Sequence, residues 1–371
     1  MPPVPVLYLI HSLGHGGSER QLASVARALD RTKFTPHTAS VVGGFRADEM
    51  TGDGIPVWKI PLHSYFGSDT WQAVRQVCTY IHRHGIGLVH TFDYSLTPFG
   101  VAAARLCPGV RVLSSQRCHM DLLPSRYRHM VAVAHGLADG IVVNCEELRR
   151  HLHEDYKFRA SSIQVCWNGI DTREFRRTPE KRLEEVREAD LVVGTVGVLR
   201  QEKNLAHLIE AFACVREGNG RMKLLIIGSG PEEKSLRGLA ARLGVTPQCV
   251  FLPSTADVTS ALSSIDIFVH PSLSEGLPNA VMEAMACGCT VLASSVGGCP
   301  ELIDDGVHGM LFHAGKLDSL VSALRAVVAE PELRGRMAAA GAARIRECFS
   351  IETSARRMEG IYEWQMNQGA A

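Results

Sequence analysis

Several of the features that assign a chain to a class are missing from these 371 residues. No apolar run approaches the roughly 18 residues of a membrane-spanning helix, and no basic segment precedes the first strand, so we expect neither a span nor a signal peptide. Lys plus Arg equals Asp plus Glu at 39 each, so no overall field favours nucleic acid as a partner. We therefore expect a cytoplasmic protein, and peripheral contact with the cytoplasmic face of a membrane stays open.

Motifs for metal binding and for disulfides are also missing. The eleven cysteines include no C-x-x-C pair, and most lie within apolar periodic segments, which predicts reduced core residues. Cys287, Cys289 and Cys299 are close in sequence, but no histidine pair or fourth cysteine completes a metal site with them. The chain has no D-x-D motif either, so we expect no metal in its chemistry.

The length and the pattern of the chain suit two globular domains. A chain of 371 residues is too long for one ordinary core, and its 46% hydrophobic and 21% charged content is typical of a folded protein. Short apolar strands alternate with amphipathic helices in both halves, which indicates parallel sheets covered by helices on both faces. We predict an α/β protein with two Rossmann-like domains, residues 1–170 completed by 351–371 and residues 171–350.

The segment from Phe268 to Glu301 combines a strand, a loop and a helix. The apolar run at Ile267–Val269 predicts a buried parallel strand, and a polar turn containing glycine follows it. Pro278 is expected at the first helical position, and Gly288 is expected to end the helix. The start of a helix presents backbone N–H groups and a positive dipole end, and both bind phosphate.

Two acids accompany this helix start. Glu275 precedes the helix, and Glu283 lies on it eight positions later. A diphosphate could bind the N–H groups of Gly276 and Leu277, while Glu283, roughly 7–8 Å along the helix axis, could accept both hydroxyls of a ribose. Glu275 would then lie near a transferred sugar. Spacing alone leaves open that Glu283 is a solvated helix residue and Glu275 an ordinary loop acid.

The motif Glu275-x7-Glu283 within SEGLPNAVMEAMACG, followed by VGGCPELI, resembles the donor-site signature of retaining glycosyltransferases of family four. These enzymes have the GT-B fold, in which two Rossmann-like domains face each other across a cleft and a C-terminal helix crosses back to the first domain. The resemblance implies transfer of a sugar, without a metal, from a UDP-sugar or GDP-sugar to a saccharide or lipid-linked acceptor. It also implies donor contacts at Gly276, Leu277, Pro278 and Glu283, and a context in cell-surface polysaccharide or glycolipid biosynthesis.

The loop after the strand Leu191–Val198 carries two cations, Arg200 and Lys203, which could neutralise a diphosphate or could be ordinary solvated loop residues. No aspartate is assigned as a nucleophile. The resemblance therefore implies that Arg200, Lys203 and the helix-start amides stabilise the leaving group. Two rival functions stay open, which are a nucleotide-sugar epimerase on the same fold and a non-catalytic nucleotide-sugar binding protein.

A second loop rich in glycine, residues 12–17, follows the first strand. Ser18 and Gln21 predict a capping box for the helix after it. The glycine spacing does not fit a dinucleotide fingerprint, and an ordinary tight turn would also explain the loop. LGHGGSERQ resembles the GG-x-E loop of the family, and this implies that Gly16 and Gly17 approach the donor phosphates.

Other expectations concern the end of the first domain. Many relatives carry a histidine after the fifth strand that contacts the transferred sugar, and His119 is the nearest candidate, with Arg117 or a plain surface histidine as the alternatives. The basic, amphipathic stretch at Met120–Ala138 could rest on an anionic membrane or pack on the sheet. The charged segment at Thr172–Asp190 is expected to be a linker between the domains.

Overall fold

A computed structural model of the chain describes residues 2–14, 16–62, 67–216 and 221–368. It divides into two compact units, residues 1–169 together with 351–371 and residues 170–350. The division falls one residue before the predicted domain boundary. Each unit consists of a parallel sheet with helices packed on it, so the predicted α/β class is confirmed.

The sheet of the first unit has seven parallel strands, which are β1 (Val4–Ser12), β2 (Phe34–Val42), β3 (Val57–Lys59), β4 (Leu88–Thr91), β5 (Arg111–Gln116), β6 (Gly140–Val143) and β7 (Ile163–Val165). They are ordered β3-β2-β1-β4-β5-β6-β7. Alternate residues of the central strand β1 enter two different hydrophobic cores. Tyr8 and Ile10 pack in one core, and Leu7 and Leu9 pack in the other. A strand buried on both faces has to be a continuous apolar run, which is how β1 reads in the sequence.

The helices of the first unit's main segment are α1 (Gly17–Ala28), α2 (Phe45–Gly52), α3 (Ser68–Arg83), α4 (Thr97–Arg105), α5 (Ser125–Leu137) and α6 (Glu146–Glu154). The predicted capping box of α1 is wrong, because Gly16 is the N-cap and no side chain caps this helix. Gln21 is buried instead, and its amide exchanges two hydrogen bonds of 2.9 Å with the backbone of Gly169. These bonds satisfy a buried polar side chain and fix the last residue of the first unit's main segment.

The sheet of the second unit has six parallel strands, which are β8 (Leu191–Val196), β9 (Met222–Ile227), β10 (Cys249–Leu252), β11 (Ile267–His270), β12 (Thr290–Ser294) and β13 (Met310–Phe312). Its helices are α7 (Leu205–Val215), α8 (Glu233–Arg242), α9 (Val258–Ser263), α10 (Asn279–Ala286), α11 (Cys299–Leu302), α12 (Leu317–Ala329) and α13 (Pro331–Cys348). The strand order is β10-β9-β8-β11-β12-β13. The order reverses between β8 and β11, so the loops that follow these two strands are neighbours, and doubly wound folds bind ligands at this point.

The segment 172–190 is not the linker that its composition suggested. It contains two short 3-10 helices and is tied to the second unit. Arg177 donates to a carboxylate oxygen of Asp266 at 2.7 Å, and the backbone N–H of Leu183 donates to Ser264 Oγ at 2.8 Å. A side chain and a backbone N–H of this segment thus have partners on the loop before β11.

The C-terminal helix α14 (Ile351–Asn367) packs on the first unit, as the resemblance implied. Its Tyr362 is buried and donates to Tyr8 Oη at 3.0 Å. The imidazole of His90 bridges Tyr362 Oη at 2.7 Å and Ser115 Oγ at 2.8 Å. Because each of these buried polar atoms has a partner, the network fixes the position of α14 on the sheet without leaving an unsatisfied group.

Candidate functional site

The loop after β11, residues 271–278, leads into α10 in the second unit. Pro278 is the N-cap of α10 with φ −76° and ψ 112°, so the prediction that it is the first helical residue is wrong by one position. Its fixed φ suits this extended cap as well as it suits a first turn. Gly288 follows α10 with φ +72°, a left-handed conformation, and the prediction that it ends the helix is confirmed.

The part of this loop from 271 to 276 is held to its neighbours by hydrogen bonds on three sides. They run from Leu273 N to Glu202 O (2.8 Å), from Gly298 N to Gly276 O (2.7 Å) and from Ser294 Oγ to Ser272 O (2.5 Å). Gly297 packs so closely against it that a Cβ would lie 2.4 Å from the carbonyl oxygen of Glu275. The loop is therefore held rigidly enough to orient a side chain.

Glu275 is the centre of a charged cluster. Lys203 Nζ donates to Glu275 Oε1 at 2.5 Å, and His270 Nε2 lies 2.8 Å from the same oxygen. Burial alone would raise the pKa of Glu275, but the neighbouring His270 and Lys203 hold that pKa well below its usual range. Glu275 is thus an ionised carboxylate with two partners, and its contact with a transferred sugar stays a prediction.

Lys203 and Arg200 lie together on the loop after β8, as predicted, but in different surroundings. The Lys203 side chain is 28% exposed and reaches Glu275. The Arg200 side chain is 62% exposed, and its guanidinium lies 3.9 Å from Glu202. Asn204, directly after Lys203, has φ +52° and is the N-cap of α7, so the chain turns sharply there. The structure therefore brings Lys203 to the Glu275 cluster and leaves Arg200 near it in sequence and open to solvent.

Glu283 lies on α10, where only 5% of the residue is exposed. The alternative that it is a solvated helix residue is therefore wrong. Cys287, one turn later, is buried too, and burial together with the Glu283 charge raises the pKa of its thiol to about 12. A buried carboxylate is costly unless it is paired or hydrogen-bonded. Contact of Glu283 with a ribose stays a prediction.

The glycine-rich loop of the first unit has a tight fold of its own. Ser12 Oγ donates to Glu19 Oε1 at 2.8 Å, and a Cβ on Gly16 would lie 2.0 Å from Glu19 Oε2. A side chain at position 16 would therefore displace the Glu19 carboxylate from its present place at the start of α1. His15 lies outside the described residues. Phosphate contacts at Gly16 and Gly17 stay predictions.

His119 and Arg117 both have partners within the first unit. His119 Nε2 lies 2.9 Å from Glu147 Oε2, and this hydrogen bond raises the pKa of His119. Arg117 donates to Asn168 Oδ1 at 2.8 Å and its guanidinium lies 3.9 Å from the centre of the Phe92 ring. Burial lowers the pKa of Arg117 to about 10. Contact of His119 or Arg117 with a sugar stays a prediction.

Helix α5 packs on its unit through Val131, Ala134 and His135, which are buried. Its other face exposes Arg126 and His129, together with 64% of Val133. In the described ranges, no helix is both long and apolar enough to span a bilayer. The stretch is thus a packed amphipathic helix, and contact with a membrane surface stays a proposal.

Cys287, Cys289 and Cys299 are free thiols and all three are buried. Within the part of the chain that the structure describes, no group of three or more His, Cys, Asp or Glu side chains is arranged to hold a metal ion. Burial raises the pKa of the Cys289 thiol as well. These three cysteines are therefore core residues of the second unit, whereas Cys214 and Cys348 are exposed, and for these two the expectation of a core position is wrong.

His270 is the residue of this cluster that the sequence pattern did not single out. It ends β11 and is 5% exposed. A histidine at the end of a buried strand resembles a core residue as long as its neighbours in space are unknown. The signal that could have found it is its place five positions before Glu275, at the carboxyl end of the strand next to β8.

Comparisons with known proteins agree with this two-unit architecture. A model described as Glycosyltransferase Family 4 matches residues 15–174, and a model described as Glycosyl transferases group 1 matches residues 177–344. The N-acetyl-alpha-D-glucosaminyl L-malate synthase of Bacillus anthracis is 28% identical over 204 residues, which are 54% of this chain and 53% of that protein. The chain thus spans about half the length of the curated relatives it matches.

Solved structures extend the likeness over both units. The Anabaena protein Alr3699/HepE in complex with UDP matches with a TM-score of 0.85 and 20% identity over 97% of this chain and 100% of that chain. Its complex with UDP-glucose matches with a TM-score of 0.84 and 21% identity over 97% and 99% of the two chains. Identity this low shows the fold, and the predicted GT-B fold is confirmed. With the two family models matched in succession, the chain belongs to the family four glycosyltransferases, the glycosyl transferases group 1.

Proposed function

We propose that the protein transfers a sugar from a nucleotide-diphosphate sugar to an acceptor hydroxyl and retains the anomeric configuration. The observation that carries this proposal is the contact of Lys203 with Glu275 beside the start of α10. An ammonium and helix-start amides suit a diphosphate, and a fixed carboxylate suits the hydroxyls of a sugar. The bound UDP and UDP-glucose in the Anabaena structures support a donor of this class.

The chemistry we propose depends on stabilising the leaving diphosphate. As the bond to the sugar breaks, negative charge grows on the phosphate oxygens, and Lys203, Arg200 and the amides of Gly276 and Leu277 would neutralise it. A well-placed donor of this kind commonly contributes about 3–4 kcal/mol. A phosphate oxygen would take the proton of the acceptor hydroxyl on the same face of the sugar, so retention needs no carboxylate nucleophile. No metal is assigned a part in this proposal.

The remaining donor contacts are assigned by type of group. Glu283 would hold the ribose diol of the nucleotide, and Glu275 would accept a hydroxyl of the transferred sugar. His119 or Arg117 would contact that sugar as well, and Gly16 and Gly17 would approach the phosphates. UDP-sugars and GDP-sugars are the proposed donor classes.

The test is a panel of UDP-sugars and GDP-sugars with simple saccharide and lipid-linked acceptors. We expect release of the nucleotide diphosphate that depends on the acceptor, and a product whose anomeric configuration by NMR is that of the donor. An epimerised donor without an acceptor would support the epimerase, and binding without turnover would support the binding protein. Either result would contradict the proposal, as would a product of inverted configuration.

We propose a saccharide or lipid-linked acceptor from cell-surface polysaccharide or glycolipid synthesis, with contact to an anionic membrane through the outer face of α5. Arg126 supplies the charge and Val133 the apolar surface that such contact uses, and His129 is exposed on the same face. We expect binding to vesicles with anionic lipid that weakens as salt rises and as Arg126 is changed to Glu. Equal binding to neutral vesicles, or none to either, would refute the membrane contact alone.

A further inference from the structure

Two basic side chains contact the same oxygen of Glu275. Lys203 Nζ lies 2.5 Å and His270 Nε2 2.8 Å from Oε1. Lys203 comes from the loop after β8 and His270 from the end of β11, so the two reach the carboxylate from separate elements. The oxygen thus has a second hydrogen-bond partner besides the Lys203 ammonium, and this second partner calls for an explanation.

The proposed reaction explains the second partner of Glu275, because that reaction needs the Lys203 ammonium at the donor diphosphate. If Lys203 turned toward a bound diphosphate, a carboxylate that depended on Lys203 alone would be left buried and unpaired. Such a charge is strongly destabilising. With His270 in place, the ammonium can move and the carboxylate keeps a hydrogen-bond partner.

We propose that His270 is a positioning residue that holds the Glu275 carboxylate in place while Lys203 engages the donor diphosphate. This inference rests on the proposed function. In this arrangement Oε1 is occupied by the protein, and Oε2 is the oxygen that accepts a hydroxyl of the transferred sugar.

The surroundings of His270 keep its imidazole in one position. Its ring stacks on Phe268 with 6.4 Å between centroids and 13° between planes. Ser272 Oγ lies 3.2 Å from His270 Nε2. The backbone carbonyl of His270 accepts a 3.3 Å hydrogen bond from Ser294 Oγ. A histidine held in this way aims Nε2 at Glu275 and cannot follow a ligand, in contrast to the long, flexible side chain of Lys203.

The charged neighbours of His270 are few. Glu275 faces it directly, and Lys203 faces it across Glu275. Of the elements next to β11, strands β8 and β12 carry no ionisable residue, and α10 carries the buried acid Glu283. The charged groups that face His270 are therefore Glu275 and Lys203.

The test compares His270→Phe, which keeps the ring and its stacking, with His270→Gln, which keeps a hydrogen-bond donor. The readouts are the pH profile of kcat/KM with the donor identified above, the separate values of kcat and KM, and UDP or GDP affinity by calorimetry. His308→Gln is the matched control, because His308 pairs with Asp304 in the same unit and at a distance in sequence from the loops after β8 and β11. Circular dichroism and thermal melts show that each variant is folded.

The expected results follow from the loss of one of the two bases. In His270→Phe, burial still raises the pKa of Glu275 while only Lys203 opposes it, so the acid limb of kcat/KM moves to higher pH. At neutral pH kcat/KM falls by about tenfold or more, and the affinity for the nucleotide falls because Lys203 stays bound to Glu275. His270→Gln restores most of kcat above neutral pH. The acid limb of its kcat/KM profile lies between those of the unmodified chain and His270→Phe. The His308→Gln profile matches the unmodified chain.

Two outcomes would overturn this role. An acid limb that does not move in His270→Phe would show that His270 does not control Glu275. A His270→Gln variant no better than His270→Phe, with both melting at lower temperature, would show that the ring only fills space. If the unmodified chain neither binds nor turns over any UDP-sugar or GDP-sugar, the proposed function fails and this role with it, whereas a normal unmodified chain beside unshifted variants refutes the role of His270 alone.

Discussion

Lys203, Glu275 and the start of α10 together form the proposed donor site, which we call the donor corner. Replacement of Lys203 by Met is its sharpest test. Methionine keeps most of the aliphatic stem and removes the ammonium that lies 2.5 Å from Glu275. A donor aimed at growing negative charge in a dry site contributes about 3–4 kcal/mol. The Lys203 side chain is 28% exposed, so solvent screens part of this, and we take the lower end of that range. Since about 1.4 kcal/mol corresponds to a factor of ten, kcat/KM should fall by about 100-fold.

The assay is nucleotide release under steady-state and single-turnover conditions. If Lys203 acts mainly on the leaving group, kcat falls with kcat/KM and KM changes little. Lys203→Arg keeps a charge of different shape and should recover part of the rate. Lys181→Met is the control, because Lys181 is also in the second unit, its side chain is 54% exposed and its ammonium lies 4.0 Å from Asp257. Its kcat/KM should stay within about twofold of the unmodified value.

Near-normal turnover in Lys203→Met would refute the reasoning, because the ammonium would then have no part in the transition state. A rise in KM with unchanged kcat would be a milder contradiction. It would assign Lys203 to donor binding in general and leave the leaving group to Arg200 and the helix-start amides. If Lys203→Met and Lys181→Met both lost kcat/KM to the same extent, the loss would reflect a general effect of removing a positive charge.

Three further predictions concern the same unit. Glu283→Gln should raise the KM for the donor by about tenfold or more and should lose its effect with a donor whose ribose lacks the 2′-hydroxyl; an equal effect with both donors would contradict the ribose contact. The carboxylate of Glu275 should stabilise the fold above pH 4.3 or so and lose this effect as pH falls, because its pKa is lowered in the folded chain. The melting temperatures of the unmodified chain and Glu275→Gln should therefore converge in acid, and a constant difference would contradict this. Activity in excess EDTA should equal activity with added Mg²⁺, and a loss that Mg²⁺ restores would contradict the metal-free proposal.

The strands were the most predictable part of the fold, and the reason is physical. A parallel strand covered on both faces has to be apolar throughout, so strands were predicted at Ile267–Val269 and Leu191–Val198, where the structure has β11 and β8 with bounds that differ by one and two residues. Short elements were missed, among them the three-residue strand β13 and the helices α2 and α9. A run this short has too few residues for its periodicity to differ from that of a loop.

Side-chain partners across long sequence separations were the least predictable part. Gln21 has the type and place of a capping residue, yet its partner is Gly169, which is 148 positions away. Arg177 and Leu183 lie in a segment whose composition is that of a linker, and their partners on Asp266 and Ser264 become visible only in the fold. A local sequence signal describes what a residue can do, and the tertiary structure decides with which group it does so.

The donor corner lies between these two cases. Lys203 and Glu275 are 72 positions apart, yet they meet because β8 and β11 are adjacent in the sheet and both loops leave its carboxyl edge. The backbone hydrogen bond from Leu273 N to Glu202 O then holds the two loops together. Strand order therefore fixes which loops meet, and the family motif could supply the residues that belong there. Neither the strand order nor the family motif identifies His270 as the second base on Glu275, because His270 belongs to strand β11 itself. Variants of His270 therefore test the structure independently of the motif.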